Sequence, residues 1–180
     1  IHVDTDISLF FNEDDPDYNF YQEMKSEFSS QENMILLGIK SKDSIFNTIF
    51  LDKVSILADS IKNTLNVKTV KSLLNLSYPI KTTFGIIGIP YIKSKETGEL
   101  TYNKNKILSD ELSENFINKE SDALFLWIET EHKLNAENLD ILINSLNELR
   151  TNSSDLTTYL WGRKVIDVSF KNILIKEILT

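Results

Sequence analysis

One stretch, ALFLWIET at residues 123–130, decides the fold, because it is the strongest strand candidate in the chain. An amphipathic helical pattern follows it over residues 135–150, with apolar side chains repeating at about 3.6-residue spacing. Residues 156–161 then predict a closing strand that stops at Gly162. We therefore expect residues 123–162 to form one strand–helix–strand unit.

A second unit of the same order precedes it, at about residues 33–74. Residues 33–40 are a short apolar run typical of a buried strand, and residues 47–65 carry an apolar stripe typical of a helix. Residues 67–74 predict a less regular strand. Two successive βαβ units predict an α+β fold, with a ferredoxin-like split βαβ…βαβ sheet and helices packed on one face.

The remaining segments fit around this core in a single domain covering residues 1–180. Residues 77–122 form a central insertion that the simple fold does not need, and its acidic part, 109–118, has a helical composition. Residues 163–179 predict a C-terminal helix leading toward a membrane span. That helix is apolar over more than half of its circumference, so part of it must pack against something.

The insertion contains an apolar run broken by glycine and proline, for which two interpretations stay open. The run is either a strand that covers the edge of the sheet or the apolar lining of a substrate cleft. On the second interpretation, the candidate cleft residues are Phe84, Ile86, Ile87, Ile89, Tyr91 and Ile92.

Composition excludes several classes of function. The chain has 180 residues, a formal net charge of −8 and no cysteine. The negative charge argues against a nucleic-acid partner and against electrostatic docking onto anionic lipid. The lack of cysteine excludes disulfides, thiolate chemistry and cysteine-zinc sites.

No window approaches 18 consecutive apolar residues, and no signal peptide is visible. The chain begins with Ile1 rather than Met, which suggests a piece of a longer protein.

No catalytic, cofactor or metal site is expected. His2 and His132 lack partners at a defined spacing and are interpreted as surface residues at strand ends. The chain contains neither a Gly-x-Ser-x-Gly elbow nor a glycine-rich phosphate loop. Trp127 and Trp161 are expected to pack in the core. We therefore predict that the domain is not an enzyme and has no cofactor.

An acidic cluster near the start of the chain could offer oxygen ligands to calcium, but it lacks the spacing of an EF-hand. We interpret it as a solvated acidic cap on a helix that begins at Pro16. Its members are Asp4, Asp6, Glu13, Asp14, Asp15 and Asp17.

The segment that contains this cluster, LFFNEDDPDYNFYQEMKSEF at residues 9–28, carries a family resemblance. It resembles the start of the first extracytoplasmic loop in exporters of the RND superfamily, particularly their MMPL-like, hydrophobe-exporting branch. Residues 44–47 and 67–75 are similar to the run that follows in these exporters. Residues 159–166, YLWGRKVI, resemble the strand and turn that lead into their second membrane span. The insertion at residues 77–122 resembles no member closely.

The resemblance implies a function for the parent protein and a role for this piece. The parent would be a bacterial inner-membrane protein that uses the proton gradient to export lipids or other hydrophobic molecules. This chain would be its noncatalytic porter domain on the periplasmic side. Its partners would be the parent's transmembrane helices, a second porter domain and a lipid-like substrate, and a homo-oligomer is possible. The proton-relay carboxylates would lie in the membrane helices.

Two alternatives stay open, and a third, an enzyme, is disfavoured. The chain could belong to a protein-secretion accessory of the same superfamily, for which an exposed sheet edge that binds an extended chain would argue. It could also be a freestanding ligand-binding or interaction module, for which dimerisation through the sheet would argue. An acylphosphatase-like enzyme would need an arginine in a phosphate-binding loop. Arg150 and Arg163 instead lie at a predicted helix end and just after a predicted strand.

Overall fold

The computed structural model describes residues 15, 16, 19, 20, 23, 33–94, 100–132 and 134–178. His2 and most of the acidic cluster lie outside these residues, as does most of the segment at residues 9–28 that carries the resemblance. Pro16 and Phe20 are helical, and the Asn19 amide donates a hydrogen bond to the Asp15 carbonyl at 3.0 Å. These features agree with a helix that begins at Pro16.

The two predicted βαβ units are present, and the insertion contains four further strands. The first unit consists of β1 (Met34–Lys40), α1 (Thr48–Lys62) and β2 (Val67–Lys71). The insertion contains β3 (Ser77–Thr82), β4 (Gly85–Pro90), β5 (Ile92–Ser94), β6 (Leu100–Tyr102), α2 (Lys104–Leu108) and a 3-10 turn (Ser113–Asn115). The second unit consists of β7 (Ala123–Thr130), α3 (Ala136–Asn152) and β8 (Thr157–Trp161), and α4 (Arg163–Ile178) follows it.

The four strands of the two units form one antiparallel sheet in the order β2-β7-β1-β8. Each unit therefore has one strand of the other unit inserted between its own two strands. This interleaving defines the split βαβ arrangement of a ferredoxin-like sheet. The predicted α+β fold class is confirmed.

The core lies between this sheet and helices α1 and α3. Side chains alternate between buried and half-buried along β1 and β7, as the two-residue period of a strand requires. Leu37 of β1 lies opposite Leu126 of β7, and both are fully buried. Val54 of α1 and Leu142 of α3 are also fully buried, and the two helices contact each other.

Two predicted element ends differ from the structure, and asparagine side chains explain both. Helix α1 ends at Lys62 rather than at residue 65, because Asn63 is its C-cap and the Asn63 Nδ2 donates to the Asp59 carbonyl at 2.9 Å. Strand β2 ends at Lys71 because Asn75 folds the chain into a turn. The Asn75 Nδ2 donates to the Val70 carbonyl at 2.7 Å.

The prediction of a helix at residues 109–118 is wrong. The helix, α2, lies just before that segment, where the Asn103 Oδ1 caps it by accepting from the Lys106 amide at 3.1 Å. Asp110 then ends helical pairing, because its Oδ1 accepts from the Leu112 amide at 3.1 Å. Aspartate side chains that bond nearby amides favour turns over helix interiors. One 3-10 turn is all the helix that residues 109–118 contain.

The prediction of a core position is wrong for Trp161, whose side chain is 65% exposed. Trp161 pairs with Leu36 on β1, on the sheet face opposite the helices, and β8 is an edge strand. Trp127 lies on the same face but is half-buried, and its Nε1–H donates to the Asn115 carbonyl at 2.9 Å. The sequence pattern of a strand does not indicate which face of the sheet the helices cover.

Helix α4 packs against α3 through part of its surface. Val168 is buried, whereas Ile166, Phe170 and Ile173 are largely exposed. The Lys171 Nζ donates to the Asp140 Oδ2 of α3 at 2.5 Å. Within the described part of the chain, no helix is both long and apolar enough to cross a lipid bilayer.

Candidate functional site

Strands β3 and β4 form a hairpin that pairs with no other described strand. Its register places Tyr78 opposite Ile89 and Ile80 opposite Ile87. Residues directly opposite each other project from the same face of an antiparallel pair, as do residues two apart along a strand. One face of the hairpin therefore carries Tyr78, Ile80, Ile87 and Ile89.

The six candidate cleft residues do not form one cluster. Phe84 at the turn is fully exposed, and Ile86 and Ile87 are 76% and 50% exposed. Ile89 is half-buried. Tyr91 and Ile92 lie below the hairpin and are buried in the core. The run is therefore a projecting hairpin rather than a strand along the edge of the main sheet, and the lining of a cleft by these residues stays a prediction.

A pocket of about 260 Å³ lies at the base of this hairpin. It is formed where the hairpin meets β5, β6 and α2. Its lining combines three tyrosines, two lysines and three other uncharged residues. They are Tyr78, Pro90, Tyr91, Lys93, Thr101, Tyr102, Asn103 and Lys106.

Aromatic contacts build the walls of this base pocket. The rings of Tyr78 and Tyr91 lie with their centroids 5.1 Å apart. The Lys106 ammonium lies 4.8 Å from the centroid of the Tyr78 ring, close enough for a cation–π contact. On the other side, the Tyr102 hydroxyl donates to the Phe46 carbonyl at 2.7 Å, which fixes that ring in place.

Below the pocket, Tyr91 faces a carboxylate. Its hydroxyl is buried and makes no hydrogen bond of normal geometry with the described part of the chain. Burial, followed by the proximity of the Asp110 carboxylate, raises the pKa of the Tyr91 phenol. The Lys106 Nζ lies 2.6 Å from the Asp110 Oδ2, and this hydrogen-bonded contact lowers the pKa of Asp110 although burial opposes it.

The base pocket can therefore bind a small group by ring contacts and by cationic donors. No carboxylate belongs to its lining, and Lys93 forms no ion pair with a described residue. The described residues contain no group of three or more histidine, cysteine, aspartate or glutamate side chains that could hold a metal ion.

Sequence reasoning missed most of this pocket. It named Tyr91 among the cleft residues, but not Lys93, Tyr102 or Lys106. These residues come from strands of three residues and a helix of five, which are too short to show a period. The sequence contains one indication of the pocket, because residues 60–95, which include the hairpin, have no aspartate or glutamate.

A polar cluster lies at the opposite end of the main sheet. The Lys164 Nζ donates to the Asn33 Oδ1 at 3.0 Å and to the Thr130 Oγ1 at 2.6 Å. The Asn33 Nδ2 donates to the His132 Nδ1 at 2.7 Å. His132 is exposed next to the end of β7, so its prediction as a surface residue at a strand end is confirmed. This cluster joins the start of β1 to the start of α4.

The chain leaves the main sheet toward the hairpin at the far end from this cluster. Strand β7 begins at Ala123, which pairs with Lys40 at the end of β1, whereas Gly162 approaches Met34 at its beginning. The insertion thus lies beyond one end of the sheet, and the start of β1 and the end of β8 lie together at the other.

No protein-family model and no curated protein sequence shows a significant match to the chain.

Proposed function

We propose that this chain is the periplasmic porter domain of an RND-superfamily exporter in the bacterial inner membrane. The parent protein would use the proton gradient to move lipids or other hydrophobic molecules outward. This domain would carry no catalytic residue. It would form one wall of an apolar substrate path together with a second porter domain of the same parent.

The observation that carries the proposal is the separation of the two ends of the sheet. A domain inserted between two membrane helices needs its core to begin and end at neighbouring points. Asn33, before β1, and Lys164, at the start of α4, are joined by a hydrogen bond of 3.0 Å. The insertion, with its apolar hairpin, lies beyond the opposite end and is free to meet a partner domain or a substrate.

The hairpin supports the proposal in a second way. Phe84, Ile86 and Ile87 present large apolar side chains to solvent on a ribbon that pairs with no other strand among the described residues. Exposed apolar patches of this kind mark surfaces that contact another protein domain or a ligand. In the proposed exporter, a second porter domain or a hydrophobic substrate would cover them.

The flanking protein sequence tests this proposal. We expect an apolar stretch of roughly 20 residues shortly before Ile1 and another shortly after Thr180 in the full-length protein, long enough to cross a bilayer. Deletion of the gene should then impair export of a lipid-like compound. A full-length protein without such flanking stretches would contradict the proposal.

One observation favours a second candidate, the protein-secretion accessory. Strand β8 is an edge strand whose Tyr159 and Trp161 are 63% and 65% exposed, and it contains no charged residue. The other edge, β2, carries Lys68 and Lys71, and charged side chains protect edges against strand addition. An aromatic edge strand that contains no charged residue of its own suits an extended polypeptide. Binding of unfolded peptides along β8, with no affinity for lipids, would favour this candidate over the exporter.

A further inference from the structure

We infer that the base pocket and the adjoining hairpin face bind an anionic amphiphile, with its charged headgroup at Lys93 and Lys106 and its alkyl chain along Ile80, Ile87 and Ile89. This inference rests on the proposed function, because it names the class of substrate that the exporter's apolar path would accept.

Charge around the pocket selects a negative headgroup. The chain has a net charge of −8, yet the charged residues that line the pocket are two lysines, Lys93 and Lys106, with no aspartate or glutamate. Lys93 lines the pocket without an ion-pair partner among the described residues. Lys106 also lines it and is ion-paired with Asp110, which does not belong to the lining. The side open to a ligand thus presents ammonium groups and tyrosine rings.

The size of the pocket suits a headgroup rather than a whole lipid. Its volume of about 260 Å³ holds roughly eight or nine water molecules or a group of that size. An alkyl chain attached to the headgroup must therefore leave the pocket. We expect the alkyl chain to leave the pocket at Tyr78, because this residue both lines the pocket and belongs to the hairpin.

The hairpin face that begins at Tyr78 gives the alkyl chain a path. Ile80, Ile87 and Ile89 share this face with Tyr78, by register and by strand period. The face is uncharged along its whole length, because Lys81 pairs with Ile86 on the other side of the ribbon. Cationic donors at one end and an apolar strip at the other match the two parts of an anionic amphiphile.

Calorimetric titration of the 180-residue chain with four probes tests the inference. The probes are dodecyl phosphate, dodecyl maltoside, dodecyltrimethylammonium and inorganic phosphate, with each detergent below its micelle concentration. We expect dodecyl phosphate to bind at least about tenfold more tightly than each of the others, since only it satisfies both parts of the site. Equal affinity for the three detergents, or binding of inorganic phosphate as tightly as dodecyl phosphate, would overturn it.

Matched variants locate the binding. Lys93→Gln should weaken dodecyl phosphate binding by roughly three- to tenfold and leave maltoside binding unchanged, whereas Lys119→Gln removes the same charge from an exposed position elsewhere and should change neither. Ile87→Ser should weaken binding of the dodecyl probes by a similar factor, and Ile56→Ser on α1 should not. Equal effects of a variant and its control would contradict the inference.

The result of the binding test can be distinguished from the result of the flanking-sequence test of the proposed function. If the full-length protein has flanking membrane spans but the chain binds dodecyl phosphate no more tightly than the other probes, the exporter proposal is supported and the anionic ligand is contradicted. A chain that binds dodecyl phosphate through Lys93 and Ile87, but comes from a protein without flanking spans, would support the site and contradict the exporter.

Discussion

The Lys164 ammonium donates a hydrogen bond to the Asn33 side chain at 3.0 Å, so the residue before β1 is joined to the first turn of the last helix. The same ammonium donates to Thr130 at the end of β7, and Thr130 is fully buried. Three parts of the chain that are distant in sequence therefore share one cation.

Replacing this lysine should destabilise the fold. Lys164→Met leaves the buried Thr130 hydroxyl and the Asn33 amide without their charged partner, and we expect the free energy of unfolding to fall by about 2 kcal/mol. Urea denaturation at neutral pH measures the change. Lys119→Met, at an exposed position, is the control and should change the same quantity by less than about 0.5 kcal/mol. Equal values for both variants would show that the cluster contributes nothing.

Two glycines with positive φ angles allow a matched test of the turn after β8. Gly162 has φ +148°, and a Cβ there would lie 2.9 Å from the Met34 carbonyl oxygen, whereas Gly85 has φ +126° with open space around it. Gly162→Ala should therefore cost about 3 kcal/mol of unfolding free energy, from strain and from the clash. Gly85→Ala should cost about 1 kcal/mol from strain alone. A smaller loss at Gly162 than at Gly85 would contradict this packing.

The hydroxyls of Tyr102 and Tyr91, which both line the base pocket, should respond differently to removal. The Tyr102 hydroxyl donates to the Phe46 carbonyl at 2.7 Å, so Tyr102→Phe should lower the free energy of unfolding by about 1 kcal/mol. The buried Tyr91 hydroxyl faces the Asp110 carboxylate but makes no hydrogen bond of normal geometry with the described residues, so Tyr91→Phe removes an unsatisfied polar group and should not lower the free energy of unfolding. Thermal or urea unfolding distinguishes them, and a larger loss for Tyr91→Phe would show that its hydroxyl has a partner.

The stability of the insertion should depend on pH through Asp110. The hydrogen bond with Lys106 lowers the pKa of Asp110 in the folded protein below the ordinary value of 3.8, which applies to the unfolded chain. The stabilisation that this hydrogen bond provides is therefore complete above pH 3.8. The contribution is lost as the pH falls through the lower, folded-state pKa. Asp110→Asn should therefore be less stable than the wild type at pH 7, and the difference should shrink toward pH 3. Unfolding curves at pH 7, 5 and 3 measure it, and a constant difference would contradict the assignment.

The main sheet could be predicted from the sequence because its central strands are apolar runs bounded by polar residues. Residues 123–130 begin with six consecutive apolar residues, and β7 occupies those eight residues in the structure. The order of the two βαβ units then restricts the topology to very few arrangements.

The insertion and the open face of the sheet could not be predicted in the same way. Strand β3 contains Pro79, which cannot donate a hydrogen bond to a neighbouring strand, so its composition argues against a strand although it pairs with β4. A tryptophan in a strand usually packs in the core, which predicts a buried Trp161, but the edge position of β8 leaves it exposed. Lys93 and Lys106 meet at one pocket only through tertiary contacts between short elements.

Cysteine labelling in intact cells tests the central claim, that the apolar hairpin faces the periplasm, most directly. The 180 residues contain no cysteine, and Phe84 is fully exposed, so Phe84→Cys introduces one reactive thiol at the hairpin turn. In the full-length protein, with any other cysteines removed, a membrane-impermeant maleimide that reaches the periplasm should label this thiol without lysis. Labelling that occurs only after the inner membrane has been broken would contradict the account.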